Sequence, residues 1–380
     1  LPVSAAGEDT LPKASTSTGS DGVNFTNATT KLGNQWVSMD YVVNKNVTRI
    51  LFFKTFEDCW TGLNEGFTTD EARMPAFVKK PEPETKQIAL DTAFPKTKEV
   101  VVDLKCEKGD YTISTALNVD RVLTIHHCLG STVTKITFNG AITVQKNAVL
   151  TIEHGNGYRP STTPVMTFAQ PVTVEEGGTF VLRGSNVNDG GTDSAKYTGT
   201  TDSFLTVAEG GTATILSYSV ESSSSAPVIV ANGTVEIPLN EKDKWPCEIK
   251  APGTIMQVGE SGSAKIGGGV FSTTSDTGAA FTVADGGTLE ISGTKLVVYG
   301  DQVVAPTIEA TGSAPAIEVS AGATLTLNDG EIKTTAANVP AITVAEGATL
   351  VIPADSEVKV TAANNAEKAI HLAAGAVVKA

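Results

Sequence analysis

The stretch Ile342-Thr343-Val344-Ala345-Glu346-Gly347-Ala348-Thr349-Leu350-Val351-Ile352 decides the fold. Ile342-x-Val344 alternates at period two, Gly347 interrupts, and Leu350-x-Ile352 alternates again. β-Branched residues in this rhythm make poor helix and good strand, so the phrase predicts two short strands around a glycine turn. Strong copies begin at Ile142 (ITVQKNAVLTI), Val172 (VTVEEGGTFVL), Leu205 (LTVAEGGTATI), Phe281 (FTVADGGTLEI) and Ile317 (IEVSAGATLTL). Weaker ones begin at Val228, Ile255 and Ile370. The intervals are 23–36 residues, with variable filler between copies of one phrase, which is the signature of a solenoid.

The filler often supplies a third strand, such as Glu331-Ile332-Lys333-Thr334. Three short strands per turn predict an all-β, right-handed parallel β-helix, its hand following from strand twist and crossover chirality. Helical repeats are excluded because the chain lacks their helices. The nine phrases, at about 4.8 Å per coil, predict a rod section of roughly 40 Å. Inward columns should contain Ile342, Val344, Leu350, Ile352 and their equivalents, with Gly at positive φ in the turns. Pro171, Pro227, Pro315 and Pro340 each stand just before a phrase and predict a fixed corner.

Composition agrees. The 380 residues include 36 Gly and 17 Pro, with only 6% aromatic, as tight coils demand. The 40% apolar content suffices for a core. A net charge of −14 argues against nucleic acid as a partner, and no apolar run is long enough to span a bilayer. The organisation expected is a tail at 1–22, a capping region and connector at 23–99, and the β-helix at 100–380. The tail begins LPVSAAGEDT, as a mature end left by a removed signal peptide would, which places the protein outside the cell or on its surface. Residues 23–75 are aromatic-rich and predict a small α+β cap over the first coil. Within it, 36–43 and 48–53 read as strands, and Thr69-Asp70-Glu71 reads as a helix start.

Cys106 and Cys128 lie 22 residues apart, close to one coil, and form the candidate disulfide; buried free thiols are the other reading. Glu153-His154-Gly155-Asn156-Gly157-Tyr158-Arg159 is the most catalytic-looking segment, and its plainer reading is a turn between coils. Candidate ligand-binding residues are His154, Tyr158, Arg159 and Trp245; Trp245 is either an aromatic platform or a core anchor. His126 and His127 should face opposite ways, and His371 outward. Glu176, Glu209, Asp285 and Glu346 should align along one corner, solvated or bridged by Ca²⁺; no other cofactor is expected.

The phrases VTVEEGGTFVL and ITVAEGATLVI, with VVVDLKCEKGDYTI from Val100, resemble coils of bacterial secreted or surface adhesin-like proteins with pectin-lyase-like right-handed β-helices. The resemblance covers roughly residues 100–380. It implies a non-enzymatic structural or adhesive rod, whose partner is a surface glycan, a protein, or another copy stacked head to tail into a fibre. The alternative is a carbohydrate-active enzyme, a polysaccharide lyase or glycoside hydrolase, on the same scaffold.

Overall fold

A computed structural model describes residues 13–16, 35–44, 47–53, 55–65, 67–69, 87–88, 99–106, 110–127, 135–154, 166–184, 193–239, 247–293, 296–298, 302–363 and 368–380. They form a parallel β-helix with three faces. Face A is a ten-stranded sheet running from Leu117–Val119 through Ile342–Val344 to Ile370–Leu372. Face B runs from Val100–Cys106 through Thr349–Val351 to Val377–Lys379, and face C from Asp110–Ile113 through Glu331–Thr334 to Lys359–Thr361. The chain visits A, B and C in turn, so each strand pairs in parallel with its equivalents in the coils before and after.

The register shows why the sequence chooses this fold. On face A, Ile142 stacks between Leu117 and Val172, and Ile317 between Phe281 and Ile342. The second inward column contains Val119, Val144, Val174 and Val207. Between these columns Thr143, Thr173 and Thr206 point outward. Leu123, Leu150 and Phe180 begin a matching inward column on face B. One apolar cluster therefore runs through the described coils. Each buried Ile, Leu or Val contributes about 1.5–3 kcal/mol relative to exposure, but only when another coil covers it.

Two weaker phrases start one residue later than their sequence suggests. Ile229 and Met256, rather than Val228 and Ile255, occupy the first column. Val228 and Ile255 are instead buried at the corner just before it. Pro171 and Pro315 mark that corner as expected, each accepting a backbone hydrogen bond, from Ile142 and Ala280 respectively.

The turn from A to B is the most uniform part. Gly177, Gly210, Gly286, Gly322 and Gly347 all have φ of 75–76°. Asn147 occupies the same position in the preceding coil at φ 63°. A left-handed residue with a Cβ costs roughly 1–2 kcal/mol, less for Asn. A Cβ on Gly177 would meet only the flexible Lys146 side chain. Gly177→Ala is therefore expected to destabilise by about 1 kcal/mol and Gly177→Asn by less, a ranking that urea midpoints of the two variants check.

The cap extends face B. Gln35–Asn44 pairs antiparallel with both Val47–Phe53 and Val100–Cys106, closing the first coil's edge. A helix, Phe56–Glu65, follows. Thr55 caps it by accepting the Asp58 amide at 3.0 Å, with Glu57 and Asp58 in the first turn. Phe56, Cys59 and Leu63 join the continuous apolar core. Phe67–Thr69 is a strand, and the helix expected to start at Thr69-Asp70-Glu71 would lie beyond it, outside the described residues.

Candidate functional site

Coils of a β-helix differ where they connect faces. The A-to-B turns at 145–148, 175–178, 208–211, 284–287, 320–323 and 345–348 share one length. The B-to-C connections do not. Ser217 alone spans one of them, at φ 54°, whereas residues 128–134, 155–165, 184–192, 238–247 and 292–306 span others. The last contains an antiparallel hairpin, Leu296–Val298 with Gln302–Val304. The B-to-C connections thus differ most in length, while the C-to-A connections range only from three residues to eight. Binding residues are disproportionately carried on such connections.

Two polar clusters flank the B-to-C edge. On the outer surface of face B, Asp103, His126, Glu153 and Arg183 occupy one register column. His126 Nδ1 lies 2.8 Å from Asp103 Oδ1 and Nε2 lies 2.7 Å from Glu153 Oε1. Arg183 Nη1 approaches Glu153 Oε2 at 3.6 Å. One rung away, Thr124 donates to Glu99 at 2.7 Å. Burial works against charging His126, but its hydrogen bonds to Asp103 and Glu153 and their charges outweigh this and raise its pKa to about 9. Conversely, the hydrogen bond from His126 lowers the Glu153 pKa against the effect of burial, helped by the charges of His126 and Arg183. At neutral pH His126 is an imidazolium donating from both nitrogens. It has no lone pair for a base or a metal; it bridges carboxylates that stacking would otherwise set against each other.

The inner cluster lies behind it. His127 and His154 are adjacent in the next column, facing the core, so the two neighbouring histidines do face opposite ways. Their rings meet edge-on at 5.2 Å between centroids. His154 Nδ1 is 3.1 Å from Asp193 Oδ1, with side chains 0% and 3% exposed. Tyr218 Oη lies 3.4 Å from His127 Nε2. Burial, reinforced by His154, lowers the His127 pKa to about 3, so this ring is neutral. An Asp-His pair suggests general-base chemistry, but a pair sealed in the core meets no substrate. It ties the starts of two face C strands to the ends of two face B strands.

The sequence candidates distribute as follows. His154 belongs to the inner cluster. Tyr158, Arg159 and Trp245 lie outside the described residues, as does Cys128, and with it the candidate pair with Cys106. Cys59 and Cys247 are buried free thiols; burial first, then Glu248, pushes the Cys247 pKa up to about 12. Glu176, Glu209, Asp285 and Glu346 do share the A-to-B corner, each preceding the turn glycine. Glu260 joins them, and the two-residue turn Asn232-Gly233 interrupts the column. Lys146 meets Glu176 at 3.4 Å, and Glu346 packs along the glycine one coil on, where Gly375 leaves room. Among the described residues, no three His, Cys, Asp or Glu side chains are grouped so as to hold a metal ion. His371 points outward, as expected. Among the described residues no helix is long and apolar enough to cross a membrane.

One depression opens at the same B-to-C edge. Glu236, Pro238, Leu239, Lys265, Gly267 and Ser292, from three successive coils, line about 270 Å³. Lys265 Nζ pairs with Glu290 Oε1 at 3.4 Å, and Asn328 donates to the same oxygen at 3.2 Å.

Comparison with protein-family models, curated proteins and solved structures finds no match. The likeness to adhesin-like coils therefore rests on the repeated phrase itself.

Proposed function

We propose that the protein is a non-enzymatic structural or adhesive rod acting outside the cell or at its surface. The observation that carries this reading is a regular stack of coils whose B-to-C connections vary most, from the single residue Ser217 to the fifteen residues 292–306. A stiff scaffold with such connections suits display of binding segments along its length. The polar clusters support it: His126 is consumed as a bridging cation and His127 is sealed and neutral.

Self-association is part of the same proposal. The coil 368–380 exposes Leu372, Val377 and Val378 at 42%, 43% and 52%. Leu372 and Val378 continue the columns of Val344 and Leu350, so a further layer laid on them would bury surface that inward residues normally hide. Chain beyond residue 380 or another molecule would supply such a layer; the self-association proposed is head-to-tail stacking of copies, a contact that does not close on itself. Negative-stain electron microscopy of the purified protein is expected to show rods joined end to end. Light scattering that finds only a monomer at high concentration removes the self-association.

A second reading has one observation behind it. Glu236 and Glu290 occupy one register column two coils apart, a backbone spacing of roughly 9.6 Å, and inverting glycosidases use two carboxyl groups about 6.5–9.5 Å apart. Release of reducing ends from polysaccharide would establish this enzymatic reading and overturn the first.

A further inference from the structure

The depression beside Glu236 has a chemistry of its own. Gly267 keeps its floor low, and a Cβ there would sit tightly against the Leu239 amide nitrogen at 3.0 Å and Pro238 Cα at 3.3 Å. Its wall is apolar, from Pro238 and Leu239. Its polar groups come from successive coils, the Glu236 carboxylate and the Lys265 ammonium, with Glu290 of the next coil pairing with Lys265 outside the lining. At its end, Ser292 Oγ is buried with no hydrogen-bond partner among the described residues, an arrangement that costs about 1–3 kcal/mol unless a partner arrives.

From these features we infer that the depression is a subsite for one sugar ring of a neutral polysaccharide. Hydroxyl groups can donate to Glu236 and accept from Lys265, and either donate to or accept from Ser292. The C–H face of the ring fits the Pro238 and Leu239 wall. The volume lies just below the range of about 300–1,000 Å³ usual for drug-sized ligands, which suits one small ring and excludes a nucleotide. The Glu236 carboxylate, with Lys265 already paired to Glu290, disfavours an anionic sugar. The inference deepens the adhesive reading and rests on it.

Affinity electrophoresis in gels containing dextran, galactomannan or arabinoxylan tests it. Wild-type protein is expected to be retarded by at least one of them. Lys265→Met and Ser292→Ala are each expected to weaken that retardation at least tenfold, with thermal midpoints within a few degrees of wild type. Lys146→Gln, at the exposed A-to-B corner three coils before Glu236, is expected to bind as wild type does. Equal retardation of all variants overturns the subsite and leaves an adhesive rod that binds elsewhere. No retardation of the wild type overturns the subsite too, and the adhesive reading then stands or falls on the filaments seen by microscopy.

Discussion

Phe168→Ala is expected to lose about 3–5 kcal/mol of stability, the usual cost of emptying a buried phenylalanine site. Phe168 is 0% exposed. Its ring stacks on Phe138 at 5.1 Å, nearly parallel, and meets Phe204 at 5.0 Å. Tyr197 joins the cluster through Phe204 at 5.7 Å. Each aromatic pair adds about 0.5–1.5 kcal/mol beyond the area it buries. The loss should also be local. In a solenoid each coil touches only its neighbours, so stability is close to a sum of coil and interface contributions. Amide exchange should accelerate in 135–144, 166–174 and 193–207, while 317–327 and 342–351 keep their protection. Phe168→Leu, which refills most of the volume, should cost clearly less. Urea titration gives the magnitude and hydrogen-exchange mass spectrometry the location. A loss below about 1 kcal/mol, or protection lost evenly along the rod, would contradict nearest-neighbour stacking.

That locality explains how the fold was legible. A solenoid writes the same constraint many times, so the phrase around Ile342 and its copies identify two inward columns and a turn glycine without any long-range knowledge. Where the phrase weakened, the reading slipped by one residue, because Val228 and Ile255 are as apolar as the column residues after them and alternation alone does not choose between them. The cap is different. Its helix at Phe56–Glu65 occurs once, so no repetition announces it. The site was legible in pieces. Glu153-His154 stood out as a cluster of functional groups, and alternation told that His126 and His127 diverge. That Asp103, Asp193 and Arg183 complete the two clusters depends on inter-coil register across connections of unequal length, which no window of sequence contains. The depression at Glu236 and Ser292 gave no sequence signal at all, since its members come together only by the stacking of three coils.

The His126 bridge makes the second large effect, and it depends on pH. The folded pKa of about 9 lies above the ordinary histidine value of 6.5, so folding binds this proton more tightly. Stability from the bridge is therefore fully present below about pH 6.5 and is lost as pH rises through about 9. At 1.36 kcal/mol per pKa unit the contribution is about 3 kcal/mol, and a ring 24% exposed makes this an upper figure. The groups facing His126 are Asp103 on one side and Glu153 on the other, with Arg183 beyond. Glu153 adds the opposite limb: its lowered pKa gives stability that is present above its unfolded value and lost as pH falls through the folded one. His126→Gln preserves the shape but not the charge. It should cost about 2–3 kcal/mol at pH 6 and under about 1 kcal/mol at pH 10, where the wild-type ring has already lost its proton. Its acid limb should flatten as well, because Glu153 no longer gains from a cation beside it except Arg183. Denaturant midpoints measured across pH 4–10 for both proteins decide it: the profiles should converge toward alkaline pH, and parallel profiles would mean that His126 is held by packing rather than by charge.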